Sequence, residues 1–182
     1  MNFTDYTYFV GSINLPNTAP SLSEGAELVL FIDKYESKYL TDILGYKMAK
    51  DFISNMLVVS PPTSGIWFDL LNGKEFTDSN GNLNKWQGFN TIGFNPIANY
   101  VYCELLEARE TQTTGVGGQK SKINNSVQTS SRQKVVSAWN DMVELNCILY
   151  DFLIVNATLY PDFIGLTDVN MDLFRKRNIF CI

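Results

Sequence analysis

The chain has 182 residues, a net charge of −5 and no histidine; 45% of it is hydrophobic, 13% aromatic and 18% charged. That length suits one domain with extensions, and the charged share falls below the usual quarter, which suggests a surface partly covered in the working state. The missing imidazole excludes histidine-based acid–base chemistry, Ser-His and Cys-His nucleophile pairs and most catalytic zinc sites, and the acidic balance argues against direct binding of free nucleic acid, which needs a basic footprint.

The N-terminal MNFTDYTYFVG has neither a basic region nor a long apolar run, so it does not read as a signal peptide. No window reaches the ~18 uninterrupted apolar residues of a membrane span, and no membrane partner is expected. Residues 1–20, aromatic and rich in Pro and Asn, read as an extended arm laid over a surface. A first helix is predicted from near Ser21, where Ser21 and Glu24 have capping-box spacing. Leu28, Ile32, Tyr35 and Tyr39 share one of its faces, and Gly45 ends it. A second helix follows over 46–57, with Ala49, Phe52, Ile53, Met56 and Leu57 as its buried stripe, until Pro61 and Pro62 break it.

The run IWFDLL (66–71) predicts a helical turn on the core. EFTDSNGNLNKWQGF (75–89) predicts a hairpin turning at Asn80-Gly81. A calcium loop would need more carboxylates and a closing Glu, whereas DSNGN offers only Asp78. A third helix begins at Asn95-Pro96, a good N-cap followed by proline at the first helical position. Phe94, Ile97, Ala98, Val101, Tyr102 and Leu105 form its apolar face. Glu104, Glu107 and Glu110 lie opposite and read as a solvated face or a subunit contact, because di-metal sites want an ExxH partner.

A fourth helix is predicted from Ser130, with Gln133 completing a capping box, to about Asn156. At 1.5 Å per residue it would be ~40 Å long. Val135, Ala138, Trp139, Met142, Leu149 and Phe152 make one stripe, and Val136, Val143, Cys147, Tyr150 and Ile154 a second. Cys103 and Cys147 sit in apolar helical stretches and read as buried free thiols; with Cys181 they form no CxxC pair, as suits a reducing cytoplasm. Carboxylates such as Asp33 and Glu36 read as surface charge.

Between the third and fourth helices lies TQTTGVGGQKSKINNSVQTSS (111–131), without an aromatic or an acid. Loops of this length are usually functional or disordered. GVGGQKS does not make a phosphate loop, since Gln119 and Thr114 stand where that motif needs glycine. Gly115, Gly117 and Gly118 read as flexible or positive-φ positions, and Lys120 and Lys122 as contacts to an acidic neighbour or a phosphate backbone or, ahead of either, as solvation of the loop until it docks. The tail from Pro161 carries Arg175-Lys176-Arg177 before Ile179-Phe180-Cys181-Ile182. It reads equally as a docking tail or as an arm folded onto its own domain.

The predicted fold is therefore mainly α. It is a small bundle of about four to five helices with a β-hairpin, a long polar inter-helix loop (109–131) and extended terminal arms. Its parts are an arm (1–20), a helical domain (21–160) and a tail (161–182).

The succession of LVLFIDKYESKYLTDILGYKMAKDF (28–52), TTGVGGQKSKINNS and KVVSAWNDMVELN resembles the head–tail connector proteins of tailed bacteriophages. These are also called adaptor, head-completion or neck-ring proteins, and those of Bacteroidetes and crAss-like phages are the most similar in texture. The resemblance spans about residues 24–157. It implies a virion structural protein, assembled in the host cytoplasm, many copies of which, typically twelve, form a ring under the portal. Such a ring extends the DNA channel, lets DNA pass without sequence-specific binding, and offers a platform to other neck and tail rings. It has no catalytic, metal or cofactor residues to carry over. Loops and arms make the contacts in such proteins. This assigns Gly115, Gly117, Gly118, Lys120 and Lys122 to a neighbour or the lumen, and Arg175, Lys176, Arg177 and Phe180 to the portal. The readings left open beside it are a cytoplasmic protein-binding or regulatory module and a small carboxylate-based enzyme.

Overall fold

The computed structural model describes residues 2–19, 21–110, 112–114, 117–119, 131–163, 165–167 and 169–178. Its helices are α1 (Ser23–Leu44), α2 (Tyr46–Met56), α3 (Ile66–Asn72), α4 (Pro96–Glu110) and α5 (Ser131–Val155). Strands β1 (Lys74–Thr77) and β2 (Leu83–Trp86) form one antiparallel hairpin, and β3 (Gln112–Thr114) and β4 (Gly117–Gln119) another. Short 3-10 turns at Tyr6–Tyr8 and Gly11–Ile13 precede α1, and two more at Gly165–Thr167 and Met171–Phe174 follow α5. The mainly helical bundle with a hairpin is as the sequence predicts.

Helix α1 begins differently from expectation. Leu22, not Ser21, occupies the cap position, and no side chain caps the helix, so the Ser21/Glu24 box does not form. The entry is set instead by backbone. The Leu22 N–H donates to Ala19 O at 2.9 Å, and Gly25 presses so closely on that turn that a Cβ there would lie 2.1 Å from Ala19 O. Only glycine permits this approach. Leu28, Ile32, Tyr39, Leu40, Ile43 and Leu44 then bury one side of the helix. Gly45 ends α1 and leads directly into α2, which buries Met48, Ala49, Phe52 and Met56.

The first hairpin pairs Thr77 with Leu83, and its turn closes through Asp78 N–H to Asn82 O at 2.9 Å and Gly81 N–H to Asp78 O at 3.0 Å. Gly81, at φ +85°, supplies the left-handed residue that such three-residue loops need. The Asp78 carboxylate accepts from the amides of Asn80 and Asn82 and from the Asn82 and Asn84 side chains. These bonds, the Asn82 backbone first, hold its pKa below the usual carboxylate range. The acid thus serves the turn. Trp86 is fully buried and its Nε1 donates to Leu70 O at 2.8 Å, tying the hairpin to α3.

Asn95 caps α4 as expected: its Oδ1 accepts from Ala98 N–H at 3.0 Å, while its Nδ2 donates to Phe89 O at 2.6 Å. Ile97, Ala98, Val101, Tyr102 and Leu105 are buried, but Phe94 is 58% exposed. It precedes the cap and so lies outside the helix whose face it was expected to join. In α5 the first stripe is buried throughout. The second divides: Val136 and Val143 are buried, whereas Cys147 and Ile154 are exposed. Cys147 lies at helical spacing from the exposed acids Glu144 and Asp151 and is itself exposed, so the expected burial of its thiol is corrected. Cys103 is buried as expected; its Sγ lies 3.5 Å from Val135 O, and burial pushes its thiol pKa up.

The terminal segments contribute to the same core as the helices. Tyr8, Phe9, Ile13 and Leu15 from the N-terminal side, and Tyr160, Phe163, Val169 and Leu173 from the C-terminal side, belong to one cluster. Phe3 stacks on Phe52 with centroids 4.8 Å apart. The N-terminal anchor is Glu36 of α1, which is only 3% exposed. Its Oε1 accepts from Phe3 N–H at 2.8 Å, and its Oε2 from Thr4 N–H at 2.9 Å and Thr4 Oγ1 at 2.6 Å. The surface role expected for Glu36 is therefore corrected: it is a buried carboxylate satisfied by backbone, as buried charge requires. Burial pushes its pKa up, and the bonds from Thr4 and Phe3 oppose the rise. Among the described residues no helix is long and apolar enough to cross a membrane.

Candidate functional site

Of the residues singled out in the polar loop, Gly117 and Gly118 lie in β4, opposite Thr114 and Thr113. A short strand pair thus stands where an unstructured loop was expected. Gly115, Lys120 and Lys122 lie outside the described residues, as does Phe180 of the tail. The candidate residues whose surroundings are defined are Arg175, Lys176 and Arg177.

Their position is built from Asn170 onward. The Asn170 N–H donates to Asp42 O at 2.7 Å, and the Asn170 Oδ1 accepts from Asp172 N–H at 3.1 Å, capping the turn Met171–Phe174. Leu173 is buried in the core. Beyond it the chain becomes extended at Arg175 (φ −102°, ψ 120°) and runs across α5. Three α5 side chains donate to its carbonyls: Asn146 Nδ2 to Leu173 at 2.8 Å, Trp139 Nε1 to Arg175 at 2.9 Å, and Asn140 Nδ2 to Arg177 at 3.1 Å. Asn140 also accepts from the Arg177 N–H at 2.8 Å. Arg175 and Arg177 are two apart in the extended stretch that follows the Met171–Phe174 turn, so their carbonyls fall on one side of it.

Asn146 is fully buried and links this segment to α1, because its Oδ1 accepts from the Tyr39 hydroxyl. The Arg177 guanidinium lies 3.4 Å from the centroid of the Trp139 ring and donates to Glu107 of α4. Face-on stacking of a cation on indole is the favourable geometry. Lys176 pairs with Glu144 at 2.7 Å, and Arg175 with Asp172 at 3.4 Å. The bond to Glu144 raises the Lys176 pKa. Asp141 is raised above the usual carboxylate range, first by burial and then by Glu144. Trp139, Asp172 and residues 175–178 line a shallow depression of about 440 Å³.

The three cations therefore differ. Arg177 is held by an aromatic ring and an acid. Lys176 meets one exposed carboxylate. Arg175, with 74% of its side chain exposed, meets an equally exposed Asp172 at the longest of the three distances. Sequence reasoning found the triplet but not Asn140, Asn146 and Glu144, which position it. A signal did exist: Asn146 falls on the buried stripe between Met142 and Leu149, where an amide needs partners. Among the described residues no group of three or more Cys, Asp or Glu is placed to hold a metal ion. No protein-family model matches the chain, and the searches of curated proteins and of solved structures returned no match to it either.

Proposed function

We propose that the chain is a structural head–tail connector subunit of a tailed bacteriophage. In this reading many copies form a ring under the portal, extend the DNA channel and offer a platform for the next neck or tail protein. The resemblance of residues 28–52, 113–126 and 134–146 to connector proteins supports it. The observation that carries it is the distribution of exposed apolar side chains. Leu30, Tyr46, Val59, Leu83, Ile92 and Phe94 are each more than half exposed, and they belong to α1, the start of α2, the loop after α2, β2 and the loop before α4. Several have apolar, partly exposed sequence neighbours, as in Val58-Val59, Ile92/Phe94 and Val29-Leu30. Exposed apolar groups on several separate elements suit a subunit with neighbours on more than one side.

Within this reading Arg175 and Lys176 are the portal-docking cations. Ion pairs between exposed side chains contribute little, so an acidic patch on a partner can replace Asp172 at Arg175 with small loss. Arg177 holds the segment in place for that exchange. The net charge of −5 favours a channel through which DNA slides, since like charges do not adhere. Electron microscopy of this protein mixed with the portal of the same genome tests the proposal. A second ring stacked coaxially on the portal is the expected result. A bare portal with both proteins folded, together with absence of the chain from purified virions, would refute it.

A further inference from the structure

Leu22, Ala26, Val29 and Leu30 stand at i, i+4, i+7 and i+8, the spacing of one helical side, yet all four are exposed, Leu30 to 68%. This stripe on the first half of α1 borders a recess of about 310 Å³. Val29 and Ile32 form one wall of the recess, and Asn2, Thr4, Asp5 and Tyr6 form the other. The second wall is tied down before anything binds. Glu36 accepts from the N–H groups of Phe3 and Thr4, and Asp5 Oδ1 accepts from Thr7 N–H at 2.8 Å and Thr7 Oγ1 at 2.6 Å. A wall already fixed loses little entropy when the recess is filled.

Two features decide what fits there. The rim is acidic and unanswered. Asp5 lines the recess, and Asp33, one turn on from Val29 and Leu30, accepts from Asn2 Nδ2 at 2.5 Å. Among the described residues no cation pairs with either acid: Lys34 donates to the Tyr35 hydroxyl at 3.1 Å and lies over its ring, and Lys38 pairs with Asp42. The wall also offers no run of free main-chain donors. The N–H groups of Phe3, Thr4, Thr7, Tyr8, Phe9 and Val10 all donate within the chain, so an added strand would find no ladder to join. What remains is side-chain packing of ridges into a groove, which is how a helix docks.

We propose that this face docks an amphipathic helix of a partner protein. Apolar residues at i, i+4 and i+7 of that helix lie along Leu22, Val29 and Leu30, one of them entering the recess, and a lysine or arginine beside them meets Asp5 and Asp33. Complementary charge sets which helices are accepted. It also disfavours a second copy of this chain as the occupant. The exposed sides of α4, and of α5 after its first turn, carry Glu107, Asp141, Glu144 and Asp151, and α2 exposes only Tyr46 among its apolar residues. The inference gives an occupant to one exposed apolar surface and holds whether or not the chain is a connector subunit.

The test uses the full chain and two fluorescein-labelled helical peptides, read by fluorescence anisotropy. One peptide has leucines at i, i+4 and i+7 flanked by lysines, and the other has glutamates in place of the lysines. Saturable binding of the lysine peptide is expected, weakened at least about tenfold by Leu22→Gln/Leu30→Gln in the protein and by the glutamate exchange in the peptide. Asp33→Asn, a second variant that leaves the apolar stripe whole, should weaken it several-fold and reduce its salt dependence. Equal binding by the native chain and both variants overturns the proposal, as does the absence of saturable binding by the lysine peptide. Dimerisation in native mass spectrometry that Leu22→Gln/Leu30→Gln abolishes overturns it in favour of a second copy.

Discussion

Asn146→Leu removes the side chain that joins α1, α5 and the Met171–Phe174 turn. Leucine shares asparagine's branching at Cγ but is bulkier and has no polar atom, so crowding at this fully buried site adds to the loss. The Tyr39 hydroxyl, fully buried, loses its acceptor, and the Leu173 carbonyl loses its donor. An orphaned buried polar group costs about 1–3 kcal/mol. The carbonyl can reach water if residues 171–178 lift, but that uncovers Leu173, so relief is partial. The expected loss is about 3 kcal/mol, and with about 2–4 °C per kcal/mol for a chain of this size the melting temperature falls by about 6–12 °C. Urea denaturation followed by circular dichroism measures the first figure, and amide exchange at Arg177 reports whether residues 171–178 have lifted. Adding Tyr39→Phe removes the orphaned hydroxyl, so the double variant should recover about 1–2 kcal/mol of the loss. A loss under about 1 kcal/mol with the Arg177 amide still protected would refute the reasoning.

Three further outcomes are expected. Glu36→Gln sets an amide donor against the N–H of Phe3 or Thr4, and should lower stability by about 1–3 kcal/mol while speeding amide exchange at both residues. Because the pKa of Glu36 is raised in the folded chain, the native state binds its proton more tightly than the unfolded state does. Stability should then increase as pH falls from that raised value towards the ordinary carboxylate value. The stability gap between the native chain and Glu36→Gln should therefore widen on acidification from pH ~7 to ~4; a narrowing gap contradicts the assignment. Gly25→Ala forces a Cβ against Ala19 O and should destabilise by about 1–3 kcal/mol through displacement of the turn before α1, read by thermal melting. Arg175→Glu should weaken portal capture in a pull-down without lowering the melting temperature. Arg177→Glu should lower both, because its cation also stacks on Trp139 and pairs with Glu107.

The sequence by itself determined the helices α1, α2, α4 and α5 to within two residues at each described end, the first hairpin and the Asn95 cap. Each of these rests on interactions among residues a few positions apart: the 3.6-residue period, a side chain reaching its own helix start, and a glycine that closes a turn. The tertiary structure alone decided what those elements bury. Glu36 looks like a surface acid until residues 3 and 4 fold across it, and Asn146 looks like an interruption of an apolar helix until Tyr39 and Leu173 meet it. Cys147 and Phe94 look like core residues, yet both are exposed. The Ser21/Glu24 box is plausible locally, yet it yields to the packing of Gly25 on Ala19. The partners of Glu36 and Asn146 lie 32, 107 and 27 residues away in the chain. No local pattern encodes such pairings, because they are selected by how whole elements pack and by the need of buried polar groups for partners. The same holds for Arg175-Lys176-Arg177. The charges are written in the sequence, but which of them is held and which stays exposed depends on where Trp139, Glu107 and Glu144 come to lie.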